Sequence, residues 1–177
     1  MNLIILIILI VGTLGFIYIT WAVSLRAKRF HGIFRFFSFE SIFIIVLLNY
    51  QEWFKDPFSV IQIISWILLI ISAILPIWGF LLLYKKGKPK EQLENTSRLV
   101  KTGLYKYIRH PLYLSLLVGG FGALLKDPGY VQIVLAVINT IALILTARVE
   151  EKEMLNKFGS EYADYIKKTK MFFPYIF

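Results

Sequence analysis

Apolar residues run through this chain in long, nearly unbroken stretches, without the regular polar positions of a soluble amphipathic helix. The stretches cover residues 2–23, 36–50, 58–84, 111–125 and 130–146. A helix that crosses a membrane needs about 20 mostly apolar residues, because hydrocarbon offers the backbone no hydrogen-bond partners. The pattern therefore predicts an all-α, polytopic integral membrane protein with about five transmembrane helices.

The fourth and fifth stretches are separated by the turn sequence Lys126, Asp127, Pro128, Gly129. At about 1.5 Å per residue the fourth stretch spans only about 22 Å, short of a hydrocarbon core of about 30 Å. We therefore expect a short helical hairpin that does not fully cross.

Composition agrees with a membrane location. Hydrophobic residues make up 58% of the 177 residues and charged residues 18%, which excludes a disordered chain and a conventional soluble enzyme. A net charge of +9 suits a partner that is either nucleic acid or an anionic membrane surface. The high hydrophobicity favours membrane lipids as the partner, so no nucleic-acid partner is expected. With no cysteine and two histidines without ligand spacing, no metal site is expected.

The basic residues predict an orientation. Eighteen of the twenty lie in residues 26–35, in 85–109 or after residue 147. Cytoplasmic loops carry the excess of Lys and Arg, so we expect the N-terminus outside and the C-terminus in the cytosol. We treat residues 1–177 as one domain, in which 1–84 supply three membrane helices and 85–177 a loop, the hairpin and a cytosolic C-terminal helix.

The first polar cluster precedes the hairpin. Pro111 suits the first turn of a helix, which makes His110 the N-cap. The helix N-terminus then offers free N–H groups to a carboxylate or phosphate, with Arg109 and Tyr113 beside it. The alternative is structural: Arg109 reaches lipid phosphates and His110 only caps the helix.

The second cluster follows the hairpin. Glu150 and Glu151 lie where a membrane helix ends, and burying their charges is costly unless a cation is near. That cation is either Arg148 or a ligand. The rest of the segment has the spacing of an amphipathic helix, with an aromatic stripe facing membrane or core, formed by Phe158, Tyr162 and Tyr165.

Isolated polar residues also lie in or near the spans. Glu40 is either functional or ion-paired with Arg35 or Arg109. His31, in a basic loop, is expected to be solvated. Hydrogen bonds between helices are expected from Asn139, Gln62 and Ser65.

The two clusters together closely resemble the isoprenylcysteine carboxyl methyltransferase family, to which the phospholipid N-methyltransferases are related. The first cluster reads Gly103-x-Tyr-x-x-x-Arg-His-Pro-x-Tyr113, and the second reads Glu150-Glu-x-x-Met-x-x-x-Phe-Gly-x-Glu-Tyr-x-x-Tyr165. The family is membrane-embedded, uses S-adenosylmethionine and opens its site to the cytosol. The resemblance covers residues 97–174.

The resemblance implies roles for individual residues. Those implied to bind the cofactor are Leu99, Val100, Tyr105, His110, Pro111, Leu112, Tyr113 and Glu150. Among them, Leu99 and Val100 would meet the adenine and Glu150 the amino group. The residues expected to be catalytic are Arg109, Arg148 and Glu151.

One position departs from the family pattern. The family arginine that positions the acceptor carboxylate lies about one turn before the first glutamate, where this chain has Thr146. Arg148 is the nearest arginine, but two helical positions differ by about 200°.

The leading interpretation is transfer of a methyl group to a lipid-like acceptor, most simply the carboxylate of a prenylcysteine-type substrate. The alternatives are methylation of a phosphatidylethanolamine-type amine, a membrane reductase of the sterol type, and a non-catalytic membrane scaffold that binds anionic lipids. The sequence does not indicate an oligomeric state.

Overall fold

The computed structural model describes residues 3–26, 29–87 and 97–175, and the ordered elements in these ranges are helices. Helix α1 (Leu3–Ile19) continues into a π-helical turn (Thr20–Leu25), followed by α2 (His31–Leu48) and α3 (Val60–Gly87). A 3₁₀ turn (Gly103–Lys106) precedes α4 (Pro111–Leu124), and α5 (Tyr130–Phe158) and α6 (Ser160–Lys168) complete the fold. The predicted all-helical membrane architecture is confirmed.

The structure has a helix for each of the five apolar stretches, but the bounds of some helices differ from the predicted ones. Within the described ranges, four helical segments are long and apolar enough to cross a membrane, Leu3–Leu25, His31–Leu48, Val60–Gly87 and Tyr130–Phe158, while α4 is a shorter apolar helix. Helix α2 begins at His31 instead of residue 36, and α5 continues beyond residue 146 to Phe158. Helix α5 ends at Phe158 because the next residue, Gly159, has φ +55°, a conformation that favours glycine.

The short helix α4 lies at the centre of the fold, packed on α3 and α2, while α2 also packs along α5. Small residues let the backbones approach closely. A Cβ on Gly122 of α4 would lie 3.2 Å from the backbone nitrogen of Leu69 in α3. Association of membrane helices depends on such close packing and on hydrogen bonds, because lipid is as apolar as leucine.

Hydrogen bonds between helices form at the three expected polar residues. The Ser38 hydroxyl donates to Asn139 Oδ1 at 2.6 Å, and the Asn139 amide donates to the Leu116 carbonyl at 3.4 Å. These bonds join α2, α5 and α4. Ser65 donates to the Gly122 carbonyl, and Gln62 donates to the Lys126 carbonyl.

Lys126 closes the turn of the hairpin. Its side chain is buried, donates to Gln62 Oε1 at 3.0 Å and lies 3.8 Å from the centroid of the Trp66 ring. Burial lowers the pKa of Lys126 from its ordinary value. The hydrogen bond and the aromatic ring replace part of the hydration that this ammonium loses on burial.

One expectation for a polar residue is wrong, and another is narrowed. His31 is buried, not solvated, and its Nδ1 lies 3.1 Å from Glu153 Oε1, because the longer α5 brings Glu153 beside the start of α2. The Arg109 side chain bonds to Glu151 and Thr169, so it is not the partner of Glu40. Glu40 accepts a hydrogen bond from Thr13 of α1, and its other oxygen has no hydrogen-bond partner among the described residues.

We expect Asn139→Ala to lower the free energy of unfolding by about 1 kcal/mol, because it removes hydrogen bonds to two neighbouring helices. Thr140→Ala is the control, since the Thr140 hydroxyl bonds only to Ala136 of its own helix. Thermal unfolding in detergent measures both variants. Equal midpoints would contradict a role for Asn139 in joining the helices.

Candidate functional site

A cleft lies where the N-terminus of α4 faces the extended end of α5. Helix α3, the segment before α4, and α6 complete its walls. The lining residues are Leu83, Leu99, Val100, Tyr105, Arg109, His110, Pro111, Leu112, Tyr113, Glu150, Met154, Phe158, Tyr162 and Tyr165. All eight residues predicted to bind a cofactor are therefore brought together, although their binding role stays a prediction.

Glu151 organises one side of the cleft. Its Oε1 accepts hydrogen bonds from Arg109 Nε at 2.5 Å and from His110 Nε2 at 3.2 Å. The Glu151 and Arg109 side chains are only 15% and 9% exposed, so solvent screens the pair weakly. Glu151 is not among the lining residues, and its contacts hold the side chains of Arg109 and His110 in position. Its expected catalytic role stays a prediction.

His110 occupies the N-cap of α4, as predicted, but its side chain makes no capping bond. The ring instead lies between two carboxylates, with Nδ1 3.7 Å from Glu150 Oε2 and Nε2 near Glu151. It also stacks on Tyr113 at a centroid distance of 5.3 Å. These contacts hold the imidazole in the wall of the cleft.

The segment after α6 fixes the backbone on which Arg109 and His110 lie. Their N–H groups donate to the carbonyls of Lys170 and Met171, and Arg109 Nη1 donates to the Thr169 carbonyl. The buried Phe172 ring lies edge-on to His110. These contacts hold Arg109 and His110 at the N-terminus of α4.

Two tyrosines of α6 face the core, which decides between the two orientations left open for the aromatic stripe. Tyr165 donates a hydrogen bond from its hydroxyl to the Tyr105 carbonyl at 2.6 Å. Burial raises the pKa of Tyr165 and of Tyr162, and Glu151 raises the pKa of Tyr162 further. Both phenols therefore keep their protons at neutral pH, and Tyr165 remains a donor.

Arg148 is not among the residues that line the cleft, and its expected catalytic role stays a prediction. Helix α5 is continuous through this position, and Arg148 is exposed while Glu150 lines the cleft. Two helical positions turn the side chain by about 200°. Thr146, at the family's arginine position, is buried and its hydroxyl donates to Ala142 of its own helix.

Sequence reasoning assigned no cofactor role to several lining residues. Met154 and Phe158 follow Glu150 at intervals of four, so all three share one face of a helix. That spacing indicates that the three residues share a face, provided that α5 continues beyond residue 146. Leu83 carries no such signal, because it is one of many leucines in α3.

We expect Glu151→Gln to lower the free energy of unfolding by about 2 kcal/mol, because two buried cationic or polar donors lose their charged acceptor. Glu150→Gln is the matched control, since the ion pair of Glu150 with His110 is longer, at 3.7 Å. Thermal or denaturant unfolding measures the difference. Equal destabilisation by both substitutions would contradict a special positioning role for Glu151.

Comparison with known proteins adds independent information about the family of this chain. Residues 17–169 match the family described as Protein of unknown function (DUF1295). Similar proteins include methanethiol S-methyltransferase 1 of Bradyrhizobium diazoefficiens, 32% identical over 41% of this chain and 25% of that protein. The methanethiol S-methyltransferase of Crocosphaera subtropica is 28% identical over 64% of this chain and 44% of that protein.

The protein-S-isoprenylcysteine O-methyltransferase of Saccharomyces cerevisiae is 35% identical over 49% of this chain and 37% of that protein. The matched regions cover less than half the length of these three relatives. The family match, in contrast, covers most of this chain. The chain belongs to the DUF1295 family, in agreement with its resemblance to the isoprenylcysteine carboxyl methyltransferases.

Proposed function

We propose that this protein is an integral membrane methyltransferase that takes its methyl group from S-adenosylmethionine. One observation carries the proposal: two clusters separated by some forty residues line a single cleft, with an acidic group, a helix N-terminus and several aromatic rings. The similarity to proteins named as methyltransferases supports it.

The cleft fits the amino-acid end of this cofactor. Glu150 is a carboxylate in the wall and suits the ammonium group. The N–H group of Leu112 belongs to the first turn of α4, at the positive end of the helix dipole, so it suits the carboxylate. His110 lies beside both.

The remaining walls fit the other parts of the cofactor. Leu99 and Val100 offer an apolar surface for adenine, and the faces of Tyr105 and Tyr113 attract a sulfonium cation. When bound, the cofactor supplies an electrophilic methyl group. The protein's own part is then to align the acceptor with that group and to exclude water.

We propose an apolar, lipid-like acceptor, with the carboxylate of a prenylcysteine-type molecule as the first candidate. The arginine that supports this choice is Arg109, not Arg148. Its Nε and Nη1 are bonded to Glu151 and Thr169, and Nη2 makes no hydrogen bond within the described ranges. That nitrogen lies on a residue of the cleft wall and suits a carboxylate. Leu83, Met154 and Phe158 suit the hydrocarbon part.

A thiol is the second candidate acceptor. Two observations favour it: the similarity to methanethiol S-methyltransferases, and the absence of Arg148 from the cleft. A thiol must lose its proton before attack, whereas a carboxylate is already the nucleophile. The two candidates therefore differ in the pH dependence expected of the reaction as well as in product.

We further propose that the cleft opens to the cytosol and that the N-terminus lies outside. The basic residues near the cleft support this orientation, because cytoplasmic segments are enriched in Lys and Arg.

We expect the purified protein in detergent to bind S-adenosylhomocysteine in calorimetry. Glu150→Gln and Tyr113→Ala should each weaken binding about tenfold or more, because each removes a group that faces the ligand. Arg148→Gln is the control on the same helix and should leave the affinity unchanged. Absence of binding by a folded sample would overturn the proposed function.

Labelled S-adenosylmethionine identifies the acceptor. Offered a prenylcysteine analogue, a small thiol and an ethanolamine phospholipid in separate reactions, the enzyme should label the prenylcysteine analogue most strongly. Arg109→Lys should reduce that labelling about tenfold, because a single ammonium replaces the guanidinium fork. Preferential labelling of the thiol, with little effect of Arg109→Lys, would select the second candidate, and labelling of the amine lipid would contradict both.

A further inference from the structure

A second cavity shares one wall residue, Tyr165, with the cleft but is chemically different from it. Its lining residues are Lys101, Lys106, Asp164, Tyr165, Lys168 and Thr169. Three lysines and one acid come from two parts of the chain, the segment around the 3₁₀ turn and helix α6. The cavity therefore concentrates positive charge between two elements that also build the cleft.

The lining of this cavity keeps a net positive charge, because three lysines face the single carboxylate of Asp164. Asp164 is bonded to Lys167 at 2.9 Å, outside the lining, and Lys101 is bonded to Glu161 in an exposed pair. Such exposed pairs are weak. Lys106 and Lys168 have no carboxylate within 4.0 Å in the described part of the chain. The lining therefore favours an anion.

The position of the cavity indicates the source of that anion. The 3₁₀ turn packs against α3 near its end, where a Cβ on Gly103 would lie 2.6 Å from Leu82 Cδ1. Helix α3 is long enough to cross the membrane and ends at Gly87, so Leu82 lies in its last turns. Lys101 and Lys106 flank this contact, and the half-exposed Tyr107 follows it. Aromatic and basic residues at the end of a membrane helix mark the headgroup level.

We propose that this cavity binds the phosphate of an anionic membrane phospholipid. Lys106 and Lys168 are the primary ligands, with Lys101 as a third cation. A lysine ammonium binds phosphate as a point charge through short, charge-assisted hydrogen bonds. A zwitterionic headgroup binds less well, because its own cation is repelled by the three lysines. Lipid binding at this site requires no methyl donor.

The consequence is a lipid that ties α6 and the 3₁₀ turn to the membrane surface. Those two elements meet at the hydrogen bond from Tyr165 to the Tyr105 carbonyl, and both tyrosines line the cleft. The bound headgroup therefore braces one wall of the cleft from behind.

Native mass spectrometry of the full-length protein in detergent, titrated with phosphatidylglycerol, tests this proposal. Each lost ammonium–phosphate contact is a charge-assisted hydrogen bond, so Lys106→Ala with Lys168→Ala should weaken binding of the tightest lipid about tenfold or more. The matched control removes Lys85 and Lys86, two exposed lysines at the end of α3 that are outside the cavity, and should retain the parent affinity. Replacement of Lys106 and Lys168 by arginine should also retain it.

Several results would overturn the proposal. Equal weakening in the two alanine pairs would show diffuse surface attraction, and equal affinity for phosphatidylcholine would show no selection for an anionic headgroup. Loss of binding in the arginine pair as large as in the alanine pair would show that charge is not the determinant. Displacement of the lipid by an equal concentration of inorganic phosphate would assign the cavity to free phosphate. None of these readouts involves the methyl donor, so failure here is distinguishable from failure of the proposed methyl transfer.

Discussion

The bonds from Arg109 and His110 to the single carboxylate of Glu151 are the constraint on which the cleft depends. Glu151 belongs to α5, whereas Arg109 and His110 belong to the segment that starts α4, so this carboxylate joins the two motif-bearing regions. Losing one partner would leave a charge poorly solvated, which costs more than the pair contributes. The arrangement therefore specifies one relative position of the two regions. Glu150, the neighbour on the other face, is left available to the cleft.

Hydrogen bonds between the membrane helices hold α4 and α5 in place, and this supports the contacts of Glu151. Asn139 joins α2, α4 and α5, and Lys126 with Gln62 closes the far end of the hairpin against α3. Buried polar side chains in a membrane are costly unless paired, and these are paired between helices. The hairpin is thus fixed at its turn and at its middle, and the cleft forms at its open end.

The sequence predicted most of the fold because hydrophobic runs report directly on membrane helices. The resemblance to the isoprenylcysteine carboxyl methyltransferases also predicted residues that gather in the cleft, from the segment before α4 to Glu150 of α5. Prediction from the sequence failed where the environment of a residue depends on tertiary contacts. His31 looked solvated in a basic loop, but Glu153 lies beside it only because α5 continues for twelve residues past 146. The same continuation turns Arg148 away, and nothing local to Arg148 indicates whether the helix has already ended.

The unequal lengths of α4 and α5 explain why there is a cleft at all. At about 1.5 Å per residue, the 14 residues of α4 span about 21 Å and the 29 of α5 about 44 Å. The first turn of α4 packs near Leu143 and Ala147, so α5 beyond that level has no part of α4 beside it. Glu150, Met154 and Phe158 lie on this unaccompanied part, and the loop before α4 together with α6 encloses the space that remains. A full-length α4 would fill that space with apolar side chains, so the helix that is too short to cross the membrane is also the one that makes room for a polar ligand.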